Sequence, residues 1–496
     1  MLADQPLNAG SPPLRQVLPL RPPPARRPRP ARTRSPWARA LVGAVALCAA
    51  LAAADAARAA EVVFEGEYRA RGRWFDTLSL DRDLALSEGA AAYVQHRLWL
   101  QPRFLLSDQI TFTVELRALD NVLWGTEQLP VDLGFPGQPP VFGDELRAPN
   151  RGPDDDAPPL DITLWRVWGD IDTRFGRFSA GRMPLHWGAG IWQNDGQSVR
   201  PHFADFGDSV DRLQWEYLIQ DQVFLRLAFD LIDEDFINHE DDTVAYNLVG
   251  AWRTEQIVAG LNARLRRNAA DDFNLLSVDV AADAELGPFR GTAEFIGQFG
   301  GGNLPGGIND VDVTAFGGVA RGTLDLDAWE IELEGGFATG DEDPRDLDVR
   351  TFTFDRDYSV GLVLFEQSLP TLATPVATEI TGSRTTEFAQ TGSAVSNALY
   401  IRPTVRRDIV EGLSAQLTFL GARAAKVPDI TPDRSAGYGV EFDLGVRYTG
   451  IQHLDVLGLV GVFLPGDWYT DQEFADFDAD LDGPVWAAQL STRLRF

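Results

Sequence analysis

The sequence predicts an all-β fold, a transmembrane antiparallel up-and-down β-barrel of 18 strands with short turns at one end and long loops at the other. Three observations carry that expectation. Stretch after stretch alternates polar and apolar residues with a period of two, as a strand with two unlike faces requires. Long and short connections between these stretches take turns along the chain. After residue 59 the sequence holds no run of about 18 apolar residues, which excludes a helical span but not a closed barrel.

The leader is read first so that it can be set aside. Residues 1–39 are rich in Pro and Arg, 40–54 form a short apolar run, and Ala57-Arg58-Ala59 is a small-residue cleavage pattern. A basic stretch, an apolar run and such a site describe a secretory signal peptide, with cleavage expected after Ala59. The run is shorter than the roughly 20 residues of a spanning helix. The only cysteine, Cys48, lies inside it, so residues 60–496 hold no thiol for a disulfide or a metal. The full chain carries a formal charge of −29, and removing the Arg-rich leader makes it more negative. That balance argues against a nucleic-acid partner.

The strands follow in order. Phe64, Gly66, Tyr68, Ala70, Gly72 and Trp74 make an apolar face against Glu65, Glu67, Arg69, Arg71 and Arg73. At 94–106, Leu98, Leu100, Phe104 and Leu106 alternate with Gln95, Arg97, Gln101 and Arg103. A Ser107-Asp108 turn leads to Ile110, Phe112, Val114, Leu116 and Ala118, alternating with Thr111, Thr113, Glu115 and Arg117. A Pro/Gly/Asp-rich loop at 121–159 precedes the pair 161–172 and 175–185, where the face of Arg182 is not assigned. A loop at 186–209 precedes 210–219 and 222–232, and an acidic loop precedes 243–253 and 257–266. Then come 273–286 and 289–300 around Gly287-Pro288, a Gly-rich loop at 300–309, and 311–323 with 328–338. The last five are 399–406, 413–423, 437–449, 453–464 and 484–496, with short turns at 408–412 and 450–452.

The closing stretch places Trp486, Ala488, Leu490, Thr492, Leu494 and Phe496 on one face, and Gln489, Ser491, Arg493 and Arg495 on the other. It resembles the last strand of bacterial outer-membrane barrels, which characteristically ends in Phe. Both chain ends then lie on the periplasmic side, and the strand count is even. Residues 358–365 are strand-like, but counting them gives 19, and omitting them gives 18 and keeps the long/short rhythm. Hence 339–397 is expected to be one large external excursion, part of it free to fold into the pore. The alternative is 20 strands, with one hidden in 368–396.

Eighteen strands leave an aqueous channel rather than a filled core. The polar phase carries Arg69, Arg71, Arg73, Arg97, Arg103, Arg117, Arg264, Arg266 and Arg447, with Glu330, Glu332, Glu334, Glu441 and Asp443. Charges of both signs are costly in a dry core and ordinary in a wet lumen. Tryptophans on the outward phase fit interfacial girdles, whereas Trp99 falls on the inward phase.

Residues 436–467 resemble the C-terminal part of the alginate-export family of outer-membrane channels. A Gly-x-Glu-x-Asp strand (Gly439, Glu441, Asp443) is followed by Tyr448, a hairpin, and a Phe-x-Pro-Gly exit at Phe463, Pro465 and Gly466. Shorter matches are Gly181-Arg182 with Gly188, and Ala338-Thr339-Gly340-Asp341. These motifs cover less than a fifth of residues 60–496 and are mostly barrel-corner chemistry. The resemblance implies an 18-stranded export or diffusion channel. For a polyanionic cargo it implies an arginine-rich constriction, to which the arginines above would contribute. Read from the residues alone, a balanced lumen in which those arginines pair with Glu and Asp stays open beside it.

Other chemistry finds little footing. His96, His186, His202, His239 and His453 sit in no HExxH pattern, and no GxSxG or P-loop exists, so an enzyme is not expected. Asp478, Asp480 and Asp482 before Gly483 match the first half of a Ca²⁺ loop, but Gln489 stands where the closing Glu belongs. No other cofactor is expected. The expected location is the bacterial outer membrane, with membrane lipid and lipopolysaccharide around the barrel and the barrel-assembly machinery engaging the strand that ends at Phe496. The expected function is passive passage of hydrophilic solutes or an acidic polysaccharide. The alternative is a plugged surface barrel with a binding or structural role.

Overall fold

The computed structural model describes residues 61–76, 90–123, 162–197, 200–205, 207–233, 243–269, 272–304, 308–343, 346–366, 394–427, 435–470, 473–474, 477–478 and 483–496. Residues 1–59, expected to be a signal peptide, and most of the 121–159 loop lie outside them. Among the described residues the wall has eighteen strands. It opens with β1 (Glu61–Phe75), β2 (Ala91–Leu105), β3 (Ile110–Leu123), β4 (Ile162–Thr173), β5 (Gly176–Pro184) and β6 (Ser209–Ile219). It continues through β7 (Val223–Asp233), β8 (Thr243–Arg253), β9 (Ile257–Asn268), β10 (Phe273–Leu286), β11 (Phe289–Leu304) and β12 (Ile308–Leu326). It ends with β13 (Trp329–Ala338), β14 (Ala398–Val410), β15 (Leu413–Ala424), β16 (Gly437–Tyr448), β17 (Leu454–Pro465) and β18 (Val485–Arg495).

Each strand pairs antiparallel with the next, and β18 returns to β1 from Glu67↔Arg495 to Phe75↔Ala487. Closure leaves no unpaired sheet edge, which is what a bilayer demands. Gly66 and Phe496 exchange backbone hydrogen bonds of 2.8 and 3.0 Å at the seam, and the Phe496 ring stacks on Phe64 with centroids 6.3 Å apart. A Cβ at position 66 would stand 2.5 Å from that ring and displace it, so glycine lets the ring lie over the seam.

The alternation falls as the period of two requires. Phe64, Leu164, Leu213, Tyr246, Phe295, Leu333, Ile401, Leu444 and Leu490 point outward and are exposed, while Arg69, Arg71, Arg117, Glu294, Glu334 and Glu441 point inward and are buried. An apolar belt of this extent suits hydrocarbon, not water.

Some expectations need correction. The glycine-rich loop expected at 300–309 is largely strand among the described residues: β11 runs to Leu304 and β12 starts at Ile308. The glycines stay in the strand because neighbouring backbone is too close for a side chain, and a Cβ on Gly300 would stand 2.0 Å from the Asn274 carbonyl. β14 likewise runs on to Val410, shortening the turn placed at 408–412. A register shift between Glu115 and Leu116 lets Trp165 turn inward beside Arg166, under the Arg117 guanidinium at 4.1 Å. As the count of eighteen requires, residues 358–365 form no wall strand.

Two connections at the long-loop end turn into the barrel. The first inner segment is 185–208, of which the described parts are 185–197, 200–205 and 207–208. The second is 339–397, of which the described parts are 339–343, 346–366 and 394–397. These parts fold into the pore, as the reading of the excursion allowed, and carry Phe352, Phe354, Tyr358, Val360, Leu362, Leu364 and Phe365 into a buried cluster with Ile191 and the wall residues Ile296, Tyr400, Leu420 and Phe463. Asp348–Val349 runs parallel beside β12, with Asp312↔Asp348 paired.

Candidate functional site: the lumen and its inner segments

Carboxylates hold both segments by their backbone. Glu441 on β16 accepts from the N–H groups of Leu362, Val363 and Leu364 at 2.6, 3.0 and 2.6 Å. Glu294 on β11 accepts from Gly190 and Ile191 at 2.9 and 3.4 Å. Asp357, in the second segment, accepts from Asp205 and Gly207 of the first at 2.7 and 2.6 Å, so the segments are tied to each other as well. Gly190 and Gly207 have φ of +87° and +77°. Such turns aim successive N–H groups at one anion, an arrangement that favours a carboxylate.

Wall arginines hold the same segments by their carbonyls and acids. Arg71 reaches both Asp205 oxygens at 2.7 and 2.6 Å and the Phe203 carbonyl at 3.0 Å. Arg69 donates to Asp205 at 2.6 Å and to the Ala204 carbonyl, and Arg97 donates to the Asp205 carbonyl at 2.9 Å. Arg73 pairs with Glu366 at 2.6 Å. Arg402 donates to the Val360 carbonyl at 2.7 Å and to Glu332 at 2.9 Å. Arg200, from the first segment, donates to Glu334 at 2.7 Å and to the Ser359 carbonyl.

The remaining inward charges also pair. Arg103 meets Glu65, Arg117 and Arg166 meet Glu115, Arg264 and Arg212 meet Asp230, Arg406 and Arg290 meet Glu330, and Arg493 meets Glu67. Arg447 makes a two-pronged contact with Asp455 at 2.9 and 2.7 Å. Arg266 is exposed near the long-loop end, and Asp443 is buried beside β17. The lumen is therefore balanced, and its charges are largely engaged.

Burial sets the ionisation of the inner segments. It would raise the Asp205 carboxyl, but the Arg71 and Arg69 guanidiniums hold it well below the usual range. Asp208 is pushed up to about 6 by burial and then by Asp357, and Asp355 is driven well above its ordinary value by burial and by Asp208 and Asp357. Three acids thus crowd the junction of the two segments.

The motif residues prove to be corner and anchor chemistry. Gly181 and Gly439 have φ of +129° and +122°, and a Cβ on either would stand 2.3 or 2.2 Å from the Val167 or Leu464 carbonyl. Phe463 is buried inward, Pro465 ends β17, and the Gly466 N–H donates to the Tyr438 carbonyl at 2.9 Å. Arg182 faces outward and pairs with Asp211.

Sequence reasoning missed Asp205, Asp357, Glu294 and Arg402 as anchors, and it missed the setting of His202. That ring lies 2.9 Å from Ser491 Oγ through Nδ1 and 3.2 Å from Asp455 through Nε2. Ser491 is fully buried, so the contact ties the first segment to β17 and β18 rather than presenting a nucleophile. Of the Ca²⁺ candidates, Asp478 lies in a two-residue strand, and Asp480 and Asp482 lie outside the described residues. Among the described residues no cluster of three or more His, Asp or Glu could hold a metal ion.

The closed wall, its apolar exterior and its charged interior define a β-barrel protein of the bacterial outer membrane. No family model matches the chain, and no curated protein sequence does. Among solved structures it is similar to OccK2 (OpdF) of Pseudomonas aeruginosa, at 11% identity and a TM-score of 0.50, covering 88% of this chain and 98% of that one. It is also similar to the Vibrio cholerae outer membrane protein OmpT lacking loop L8 (10% identity, TM-score 0.40, 88% and 100% covered). An anion-selective porin from Comamonas acidovorans is similar too (9% identity, TM-score 0.42, 88% and 100% covered). At these identities the likeness is one of fold.

Proposed function

We propose that the chain is a passive channel for hydrophilic solutes, its path set by the two inner segments. The observation that carries this reading is a closed eighteen-stranded wall around a polar lumen whose paired charges position two strapped segments. Export of an acidic polysaccharide, which the alginate-export resemblance implies, has less support. Such a cargo needs guanidinium forks turned to the path, and Arg69, Arg71, Arg73 and Arg97 are turned to Ala204, Asp205 and Glu366 instead. One observation favours the plugged barrel as a second reading: Phe352, Phe354, Leu364 and Phe365 sit fully buried inside the wall.

Single-channel conductance of the purified chain in a planar bilayer, under a salt gradient, tests these readings. The balanced lumen is expected to give steady conductance with weak ion selectivity. Strong anion selectivity would favour the acidic polymer. Conductance that emerges only after deletion of 339–397 would establish the plug.

A further inference from the structure

The outer face carries a feature the channel does not use. Outward side chains of β5 to β10 line an open apolar groove of about 620 Å³, Phe178, Leu213, Trp215, Leu227, Tyr246 and Leu265 among them. The register sets one row directly above it. Arg182 pairs with Asp211, Asp211 with Leu231, Leu231 with Val244, and Val244 with Arg267. Two residues further down each strand, Leu213, Phe229, Tyr246 and Leu265 roof the groove.

The row lies at the long-loop end. Arg182 and Asp211 are one outward position short of Pro184 and Ser209, where their strands end, and Arg267 is next to the last residue of β9. Asp211 fixes the Arg182 fork at 2.9 and 2.6 Å, yet the Arg182 side chain stays 56% exposed. Arg267 is exposed and has no carboxylate partner among the described residues, so it gives the row a net positive charge. Four strand spacings of about 4.8 Å put the two arginines about 19 Å apart across the sheet.

We propose that this surface binds lipopolysaccharide, with acyl chains in the groove and the phosphorylated sugar head against Arg182 and Arg267. Bacterial barrels carry their long loops outside, so the row faces the outer leaflet, which lipopolysaccharide fills. An arginine near that interface extends its stem along apolar surface and its head toward anionic groups. A soluble anion would have no use for the groove, and an uncharged lipid none for the row. A second copy of this chain fits less well, because it would have to bury Arg267, and the carboxylate described in this row, Asp211, is already held by Arg182.

The test uses the full chain refolded in detergent free of lipopolysaccharide, titrated with diphosphoryl lipid A and read by native mass spectrometry. R267Q and the neutral pair R182Q/D211N are each expected to bind about tenfold more weakly, as loss of a charge-assisted contact implies. A263F, which fills the groove and leaves every charge in place, is expected to weaken binding as well. Monophosphoryl lipid A is expected to bind wild type less tightly than the diphosphoryl form. Equal binding by all variants overturns the proposal. So does equal competition by phosphatidylglycerol, or a stable oligomer that crosslinks through L248C and takes up no lipid A. None of these side chains faces the lumen, so conductance is expected to stay at the wild-type value, and the lipid readout stands whether or not the barrel conducts.

Discussion

Replacing Glu441 with alanine removes the one acceptor shared by the N–H groups of Leu362, Val363 and Leu364, now at 2.6, 3.0 and 2.6 Å. A hydrogen bond to a charged group contributes about 1.5–3 kcal/mol. Three bonds to one carboxylate are not additive, so the low end of their sum, about 4–5 kcal/mol, is the sensible figure. At 1.4 kcal/mol per factor of ten, the released state of the second segment gains on the order of a thousandfold in population. The segment still has the Arg402 contact to the Val360 carbonyl at 2.7 Å and the buried side chains of Leu362 to Phe365. The expected phenotype is therefore brief openings on an otherwise normal current, not a permanently widened pore. Single-channel noise reads those openings, and amide hydrogen exchange over 362–364 reads the same release without current. Glu441→Gln keeps one acceptor oxygen and should fall between. Unchanged noise together with unchanged exchange protection in Glu441→Ala would refute the claim that this carboxylate holds the segment.

The junction of the segments gives a pH dependence. Asp208 is raised from 3.8 to about 6, so the folded junction prefers its protonated form: that contribution is complete below 3.8 and is lost as pH rises through about 6. Current flicker is expected to grow from about pH 5 to about pH 7, and Asp208→Asn should flatten the profile; a wild-type profile already flat in that window counts against the assignment. At the rim, Gly439→Ala must fit a Cβ 2.2 Å from the Leu464 carbonyl at φ +122°, whereas Gly437→Ala meets nothing closer than 3.9 Å. The first is expected to cut the yield of folded, heat-modifiable barrel on a gel by a cost of about 1–3 kcal/mol or more, and the second to leave it intact. Deleting Phe496 removes the Phe64 stack and both seam hydrogen bonds to Gly66, so insertion into vesicles should slow; an unchanged rate would mean that the seam closes without it.

How much of this was legible in the sequence depends on the range of the signal. The wall is local: a period of two in 64–74 or 484–496 fixes which side chains face the lumen, and turn chemistry at Ser107-Asp108 or Gly287-Pro288 fixes where the strand reverses. The strand count held because the rhythm of connections rejected 358–365. The rhythm misled at 300–309, where glycine composition suggested a loop and close backbone packing had required the glycines. The site is non-local. Asp357 reaches residues 205 and 207, and Glu441 reaches residues 362–364, across separations that no window of sequence spans.

Charge pairing then changes what the inward arginines mean. Phase alone puts Arg69, Arg71 and Arg73 on one lumen-facing strand, and a row of guanidiniums looks like a path for anions. Their partners say otherwise. Asp205 lies between Arg69 and Arg71, Glu366 meets Arg73, and both acids come from the inner segments, not from the wall. An ion pair this buried contributes little net stability against an apolar alternative, because both charges lose their water. What it does supply is a unique position, since removing either member leaves the other uncompensated. The same holds for Arg200 on Glu334 and for Asp357 on the backbone of the first segment. A lumen built this way spends its charges on fixing where the segments lie, and the shape of the remaining passage, more than its formal charge, then decides what crosses.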